Sequence, residues 1–175
     1  YRIEKGRKDI EIGIGLHTGQ LMMGIIGDQN RTEPATIADT VNIASRMEGM
    51  TKYYGVKILI SQDSYDILPH PEAYNFRYMG EIIVKGKIIP TKIFECFNGD
   101  EVEIRDKKLE SLSQFEEGLE LYYNKEFNEA SVIFNKISKI NPDDKAAAFF
   151  YNKAVTYALK GVPEEWNGIE KMKRK

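Results

Sequence analysis

Apolar and polar residues alternate near the start of the chain, where every second position is apolar: Ile10, Ile12, Ile14 and Leu16. A period of two places these side chains on one face of a strand. Residues 21–26 are apolar again after the turn residues Gly19 and Gln20, which predicts the return strand of a hairpin. Three glycines interrupt these strands and indicate a bend or a close approach of other backbone: Gly13, Gly15 and Gly24.

The apolar period changes to three or four residues between Thr36 and Tyr54. This spacing predicts a helix with one core-facing stripe, which consists of Ile37, Val41, Ala44, Met47 and Met50. Asn42 and Arg46 lie off the middle of that stripe, so we expect both to face outward. Gly55 is typical of a helix end, and the polar residues 28–34 before the helix predict a loop.

Shorter elements follow this helix. Residues 56–60 predict a short strand, and Ser61 is a candidate N-cap for a brief helix over residues 62–68 that ends at the prolines after it. Two further strands are expected at about 76–84 and 88–97.

The composition of the chain changes after residue 98. We interpret residues 1–98 as one domain, the charged segment 99–110 as a linker, and residues 111–175 as a helical tail. Apolar and small residues in the tail have the spacing of a tetratricopeptide repeat: Gly118, Ala130, Phe134 and Pro142. A third helix is predicted over 144–160, with Trp166 as its apolar lid. Three such units are usually needed for stability, so we expect the tail to pack on the first domain or on a second copy.

Composition excludes several classes of protein. The chain has 42% hydrophobic and 30% charged residues, which is ordinary for a globular protein, and its net charge of −2 argues against nucleic-acid binding. Cys96 is the single cysteine, which excludes an intrachain disulfide and fits a reducing compartment; we interpret it as a small buried hydrophobe. No membrane span is visible, so we expect a cytoplasmic location. If the parent protein is anchored in a membrane, we expect the anchor to lie upstream of these residues. The chain does not begin with methionine and fits a piece of something longer.

Asn42 and Arg46 are the strongest candidates for chemistry. Four residues separate them, so on a helix they share one face with roughly 6 Å of axial rise between them. An amide can bind an oxygen, and a guanidinium can bind a phosphate. This pair suits a reaction in which negative charge builds on a phosphate.

Sequence blocks that lie in order around Asn42 and Arg46 distinguish this pair from a chance occurrence of the same two residue types. They are residues 12–19 (IGIGLHTG), 21–27 (LMMGIIG), 39–46 (DTVNIASR), 50–55 (MTKYYG) and 79–87 (MGEIIVKGK). Over about residues 8–98 the chain resembles the C-terminal half of the class III adenylate/guanylate cyclase catalytic domain, followed by a repeat-like tail as in bacterial signalling cyclases. The resemblance implies an α+β fold, namely the C-terminal half of a ferredoxin-like domain with a small all-α tail.

The same resemblance implies an activity. ATP, in preference to GTP, would become the 3′,5′-cyclic monophosphate and pyrophosphate at the interface of a head-to-tail homodimer. By resemblance, Asn42 orients the ribose, Arg46 stabilises charge on the α-phosphate, and Lys85 binds the terminal phosphates, with Lys87 as its rival. Mg²⁺ or Mn²⁺ would be held by two aspartates of the other subunit.

The chain departs from the family pattern in two places. The base-reading position is Ala35, which has no polar side chain, so discrimination between adenine and guanine would depend on Thr36, on backbone groups or on residues outside this chain. Both metal-binding aspartates belong to the half that should precede Tyr1, so the chain alone has no metal ligands and is expected to be inactive. It should then associate with that half or with another copy.

Two further interpretations remain open. His17 could be a general base, but beside strand glycines we favour a packed or hydrogen-bonded structural role. In place of an enzyme, the chain could be a non-catalytic, cyclase-derived dimerisation module whose helical tail recruits a protein partner.

Overall fold

A computed structural model describes residues 6, 10–27, 32–37, 39–83, 90–164, 166 and 168–169, with only the backbone described for 26–27 and 32–37. Four strands form a sheet in the order β1–β4–β6–β5: β1 Ile14–Leu16, β4 Ile58–Ser61, β6 Thr91–Cys96 and β5 Phe76–Ile82. β1 pairs with β4 in parallel, whereas β6 pairs with both β4 and β5 in antiparallel register. Helices complete an α+β fold, as the sequence predicts.

The two strands predicted to form one hairpin do not pair with each other. β2 (Met22–Gly27) pairs with β3 (Thr32–Ile37) in antiparallel register, and the two form a separate two-stranded sheet. The prediction that β2 returns alongside β1 is therefore wrong, because β1 bonds to β4, more than forty residues away in sequence. The predicted loop over 28–34 is wrong from Thr32 onward, where β3 begins, and residues 28–31 lie outside the described part.

Helix α1 spans Asp39–Tyr54 and begins three residues later than predicted. Its buried face consists of Ile43, Met47, Met50, Thr51 and Tyr54. The predicted stripe is therefore wrong at Val41, which is 47% exposed, and the true stripe is displaced around the helix toward Ile43. Gly55 ends the helix with φ +71°, a conformation that favours glycine, as expected.

Two of the three strand glycines allow α1 to lie directly against β1. A Cβ added at Gly13 would overlap the Thr51 side chain, and one at Gly15 would overlap the backbone of Ala44 and Glu48. The close approach predicted from these glycines is confirmed. At Gly24 an added Cβ meets no described atom within 4 Å, so no close approach occurs there among the described residues, and the alternative of a bend stays a prediction.

The short elements between α1 and β6 are only partly as predicted. Helix α2 covers Gln62–Tyr65, fewer residues than expected, and the Ser61 side chain accepts a hydrogen bond from the Ser64 amide as its N-cap. A 3₁₀ turn follows at Pro71–Ala73. Residues 84–89, which the sequence predicts as strand ends and a turn, lie outside the described residues.

The charged segment interpreted as a linker forms a helix, α3 (Val102–Glu110). Its Lys108 is 5% exposed and donates to Glu95 on β6 at 2.7 Å and to Asp100 at 2.6 Å. The segment is therefore held against the sheet by the buried charge of Lys108, which its charged composition did not indicate.

The tail packs on the first part of the chain, the first of the two arrangements expected from the sequence. It contains α4 (Leu112–Tyr123), α5 (Phe127–Ile140) and α6 (Lys145–Lys160). One buried cluster runs from Ile43 and Met47 on α1 to Phe134 and Phe150 in the tail. The ring of Trp166 contacts Tyr122, Phe127 and Tyr157, which confirms its role as a lid.

Several apolar side chains near β1 and β2 are exposed in this chain. They are more than 40% exposed and comprise Ile10, Ile12, Ile14, Leu16, Leu21, Met22, Met23 and Ile25. An exposed set of this size is typical of a surface that another protein segment covers.

Candidate functional site

Helix α1 presents Asn42 and Arg46 to solvent from the flank of its buried face. Both residues are exposed, while Ile43 and Met47 beside them are fully buried. The start of the helix is tied to the β1–β2 connection by the Thr40 hydroxyl, which donates to the Gln20 carbonyl at 2.7 Å. The helix is thus fixed on the sheet with this pair facing outward, as the sequence predicts.

Arg46 reaches from α1 to the end of β5. Its Nη1 donates to the backbone carbonyl of Ile83 at 3.2 Å, one residue beyond the end of the strand at Ile82. A guanidinium has five N–H donors, so this bond to a described residue orients the group, and other donors could serve a ligand.

The remaining predicted site residues are described less fully. Thr36 and Ala35 lie in β3, where their backbones pair with Met23 and Gly24; of their side chains nothing is described. Lys85 and its rival Lys87 lie outside the described residues. The structure therefore brings Asn42 and Arg46 together on one surface, and the positions of the other candidates stay predictions.

His17 is a structural residue, as the sequence indicates. Its side chain is 5% exposed, and its Nδ1 lies 2.8 Å from the Ser61 hydroxyl and 3.8 Å from an Asp63 carboxylate oxygen. This arrangement has the residue types of a hydrolytic triad, but Ser61 is fully buried and already caps α2. A buried capping hydroxyl is not placed to attack a substrate.

A buried charge network joins β5, β6 and the start of α6 and was not identified from the sequence. Arg77 on β5 is 2% exposed and binds Asp144 through two hydrogen bonds, at 2.6 and 2.7 Å, and also Glu95 on β6. Its guanidinium lies 4.1 Å from the centre of the Phe115 ring. The sequence contains no signal for it, because Arg77 stands between two aromatic residues, where alternation along a strand predicts a solvent-facing polar residue.

Arg77 and Asp144 shift each other's pKa. Burial alone would lower the pKa of Arg77, but the charges of Glu95 and Asp144 outweigh it and raise that pKa. Burial alone would raise the pKa of Asp144, but the charge and hydrogen bonds of Arg77 hold it below its ordinary value. Both groups are therefore charged at neutral pH, as their bidentate geometry requires.

Within the described residues, no group of three or more His, Cys, Asp or Glu side chains is placed to hold a metal ion. None of their helices has the length and hydropathy of a membrane span.

Known proteins resemble the chain in sequence. The model of the adenylate and guanylate cyclase catalytic domain family matches residues 1–101. The terminal-differentiation-specific adenylate cyclase of Dictyostelium discoideum is 31% identical over 147 residues, which is 83% of this chain and 7% of that protein. An adenylate cyclase of Anabaena cylindrica is 41% identical over 91 residues, 51% of this chain and 18% of that protein.

A solved structure is also similar. The adenylyl cyclase CyaB from P. aeruginosa is 29% identical, with a TM-score of 0.43 over 54% of this chain and 46% of that chain. The chain thus spans less than a fifth of either curated relative described above and under half of this solved chain. The similarity to the Dictyostelium protein is longer than the 101 residues of the family match, so it extends into the helices that follow the catalytic part. From the family match, the chain belongs to the adenylate and guanylate cyclase catalytic domain family.

Proposed function

We propose that this chain supplies the nucleotide-binding and charge-stabilising surface of a cyclase that makes a 3′,5′-cyclic monophosphate. The observation that carries the proposal is the exposed pair of Asn42 and Arg46 on α1, with Arg46 bonded to the Ile83 carbonyl at 3.2 Å. Lys85, the candidate for the terminal phosphates, follows Ile83 by two residues in the sequence.

In this proposal each side chain has a separate task. Asn42 orients the ribose, so that its 3′ oxygen faces the α-phosphorus. That oxygen forms the new bond to phosphorus as the bond to the departing pyrophosphate breaks. Arg46 neutralises the negative charge that develops on the α-phosphate, and Lys85 binds the pyrophosphate portion.

The divalent metal is assigned to residues outside this chain. The described residues offer no cluster of ligands for it, and the resemblance implies that both metal-binding aspartates belong to the other half of the catalytic domain. Mg²⁺ or Mn²⁺ would supply charge neutralisation on the phosphates when bound there.

ATP is the preferred substrate in this proposal. The two curated relatives described above are both named adenylate cyclases. Ala35 has no donor or acceptor in its side chain, so the base would be read by Thr36 or by backbone groups.

The quaternary arrangement in this proposal is a homodimer with the nucleotide between subunits. The exposed apolar side chains of β1 and β2 are consistent with a further protein surface against them. The tail would be a tetratricopeptide-like extension, and the whole would act inside the cell as part of a signalling protein.

The test is a cyclase assay on the complete polypeptide that contains this chain, with ATP and with GTP, each with Mg²⁺ and with Mn²⁺. The proposal predicts cyclic AMP and pyrophosphate in equal amounts, with a slower reaction on GTP. If neither nucleotide yields a cyclic product with either metal, the enzymatic proposal fails.

The alternative is a non-catalytic dimerisation module whose tail recruits a protein partner. Ala35 at the base-reading position favours it, since a polar side chain there would serve substrate discrimination. An upstream sequence without the two metal-binding aspartates would support this alternative, and their presence would support catalysis.

A further inference from the structure

The helical tail contacts β5 at Met79, four residues before Ile83, whose carbonyl accepts the hydrogen bond from Arg46. The Tyr123 hydroxyl on α4 donates to the Met79 carbonyl at 3.4 Å. β5 has a bulge at this point, because Tyr78 pairs with Phe94 and Gly80 pairs with the adjacent Ile93. The tail therefore bonds to the strand where its ladder is irregular.

Gly80 adapts β5 to this contact. Its φ is +119°, a conformation that residues with a side chain rarely adopt. A Cβ at this position would overlap the Tyr123 hydroxyl. The absent side chain of Gly80 thus leaves the space that the tail tyrosine fills.

A second contact holds the same strand to the tail. Asp144, the N-cap of α6, binds the Arg77 guanidinium through two hydrogen bonds at 2.6 and 2.7 Å. Both residues are almost completely buried. The contacts at Arg77 and at Met79 fix the strand to α6 and α4 at two points, two residues apart.

The strand leads directly to the candidate site. Three residues after Gly80, the Ile83 carbonyl accepts the hydrogen bond of Arg46 at 3.2 Å. We propose that Tyr123 of the helical tail is a positioning residue for Arg46, acting through the bulge of β5 and the Ile83 carbonyl. This inference rests on the proposed function and makes the tail part of the catalytic unit.

The test compares two tyrosine-to-phenylalanine variants in the complete polypeptide. Tyr123→Phe removes the hydroxyl that bonds to β5, and Tyr151→Phe makes the same change on α6 as the matched control. We expect Tyr123→Phe to lower kcat about fivefold, the effect of losing one neutral hydrogen bond, with KM within twofold. Tyr151→Phe should leave both constants unchanged.

A double-mutant cycle separates positioning from general stability. If Tyr123 acts through Arg46, the Tyr123→Phe change should have little further effect on kcat when Arg46→Ala is already present. Additive effects of the two changes, or equal kcat values for the two tyrosine variants, would overturn the inference.

Hydrogen exchange gives a readout that does not need activity. The amides of residues 79–83 should exchange faster in Tyr123→Phe than in Tyr151→Phe, and equal rates would also overturn the inference. If the unaltered polypeptide makes no cyclic nucleotide, the proposed function fails, while the exchange rates still decide whether Tyr123 holds the end of β5.

Discussion

At the scale of single residues, Arg77 departs most clearly from the usual pattern, in which charged side chains lie at the surface. A buried arginine is costly unless it is paired and hydrogen-bonded, and here Glu95 and Asp144 meet its guanidinium from different elements. Asp144 also caps α6 by accepting a hydrogen bond from the Ala147 amide at 3.1 Å. One carboxylate therefore begins a tail helix and neutralises a charge on the sheet.

This pairing predicts a pH-dependent stability. Because the folded-state pKa of Asp144 is below its ordinary value, its contribution is present above about pH 4 and is lost as the pH falls through the folded pKa. Asp144→Asn keeps a capping side chain but should lower the free energy of unfolding by about 3 kcal/mol at pH 7. Urea denaturation between pH 3 and pH 7 should show this difference shrinking below about pH 4.

The control for this experiment is the neighbouring, exposed Asp143. Asp143→Asn should change stability by less than about 0.5 kcal/mol at every pH. A deficit for Asp144→Asn that stays constant across the pH range would contradict the account of the ion pair.

The sequence predicted the outward direction of Asn42 and Arg46 because helical spacing determines which face a residue occupies. It could not predict the partner of Arg77. Asp144 lies 67 residues further along the chain, and no local period links the two. Charge pairs between distant elements depend on how those elements pack.

At the scale of elements, the position of the site depends on how α1 lies against β1. Gly13 and Gly15 allow a close approach that the sequence predicted from their cost inside a strand. The hairpin was predicted wrongly because the apolar pattern of β1 and β2 indicates strands without specifying their partners. Strand pairing is set by contacts between distant parts of the chain.

Alanine substitution distinguishes the strand glycines. Gly15→Ala should lower the free energy of unfolding by about 3 kcal/mol, because the new methyl group would overlap the backbone of Ala44 and Glu48. Gly24→Ala, in a strand position with open space, should remain within about 1 kcal/mol of the unaltered chain. Chemical denaturation of the two variants measures this. Equal stabilities would show that α1 does not rest on β1 as described.

At the scale of the whole molecule, one core joins the parts that the sequence separated into two domains and a linker. Tyr54 at the end of α1 stacks on Phe150 of α6, with ring centroids 5.8 Å apart. Lys108 of the segment interpreted as a linker is buried against Glu95. Composition marked residues 99–110 as a boundary because most of them are charged, and a count of charged residues cannot show that Lys108 is an internal partner of the sheet.

A shared core predicts cooperative unfolding. Trp166 is the single tryptophan and lies in the tail, so its fluorescence reports the tail while circular dichroism reports all elements. The two signals should change over the same range of urea concentration. Loss of the Trp166 signal at a lower concentration would indicate a tail that unfolds separately, and would contradict the single core.

We propose that Arg46 stabilises the charge that develops during cyclisation, and the turnover of Arg46→Ala in the complete polypeptide is the decisive measurement. Arg105→Ala is the control, because Arg105 lies on α3 and pairs with the adjacent Asp106 at 3.3 Å. We expect Arg46→Ala to lower kcat about a hundredfold and Arg105→Ala to leave it unchanged. A kcat for Arg46→Ala within twofold of the Arg105→Ala value would contradict the claim.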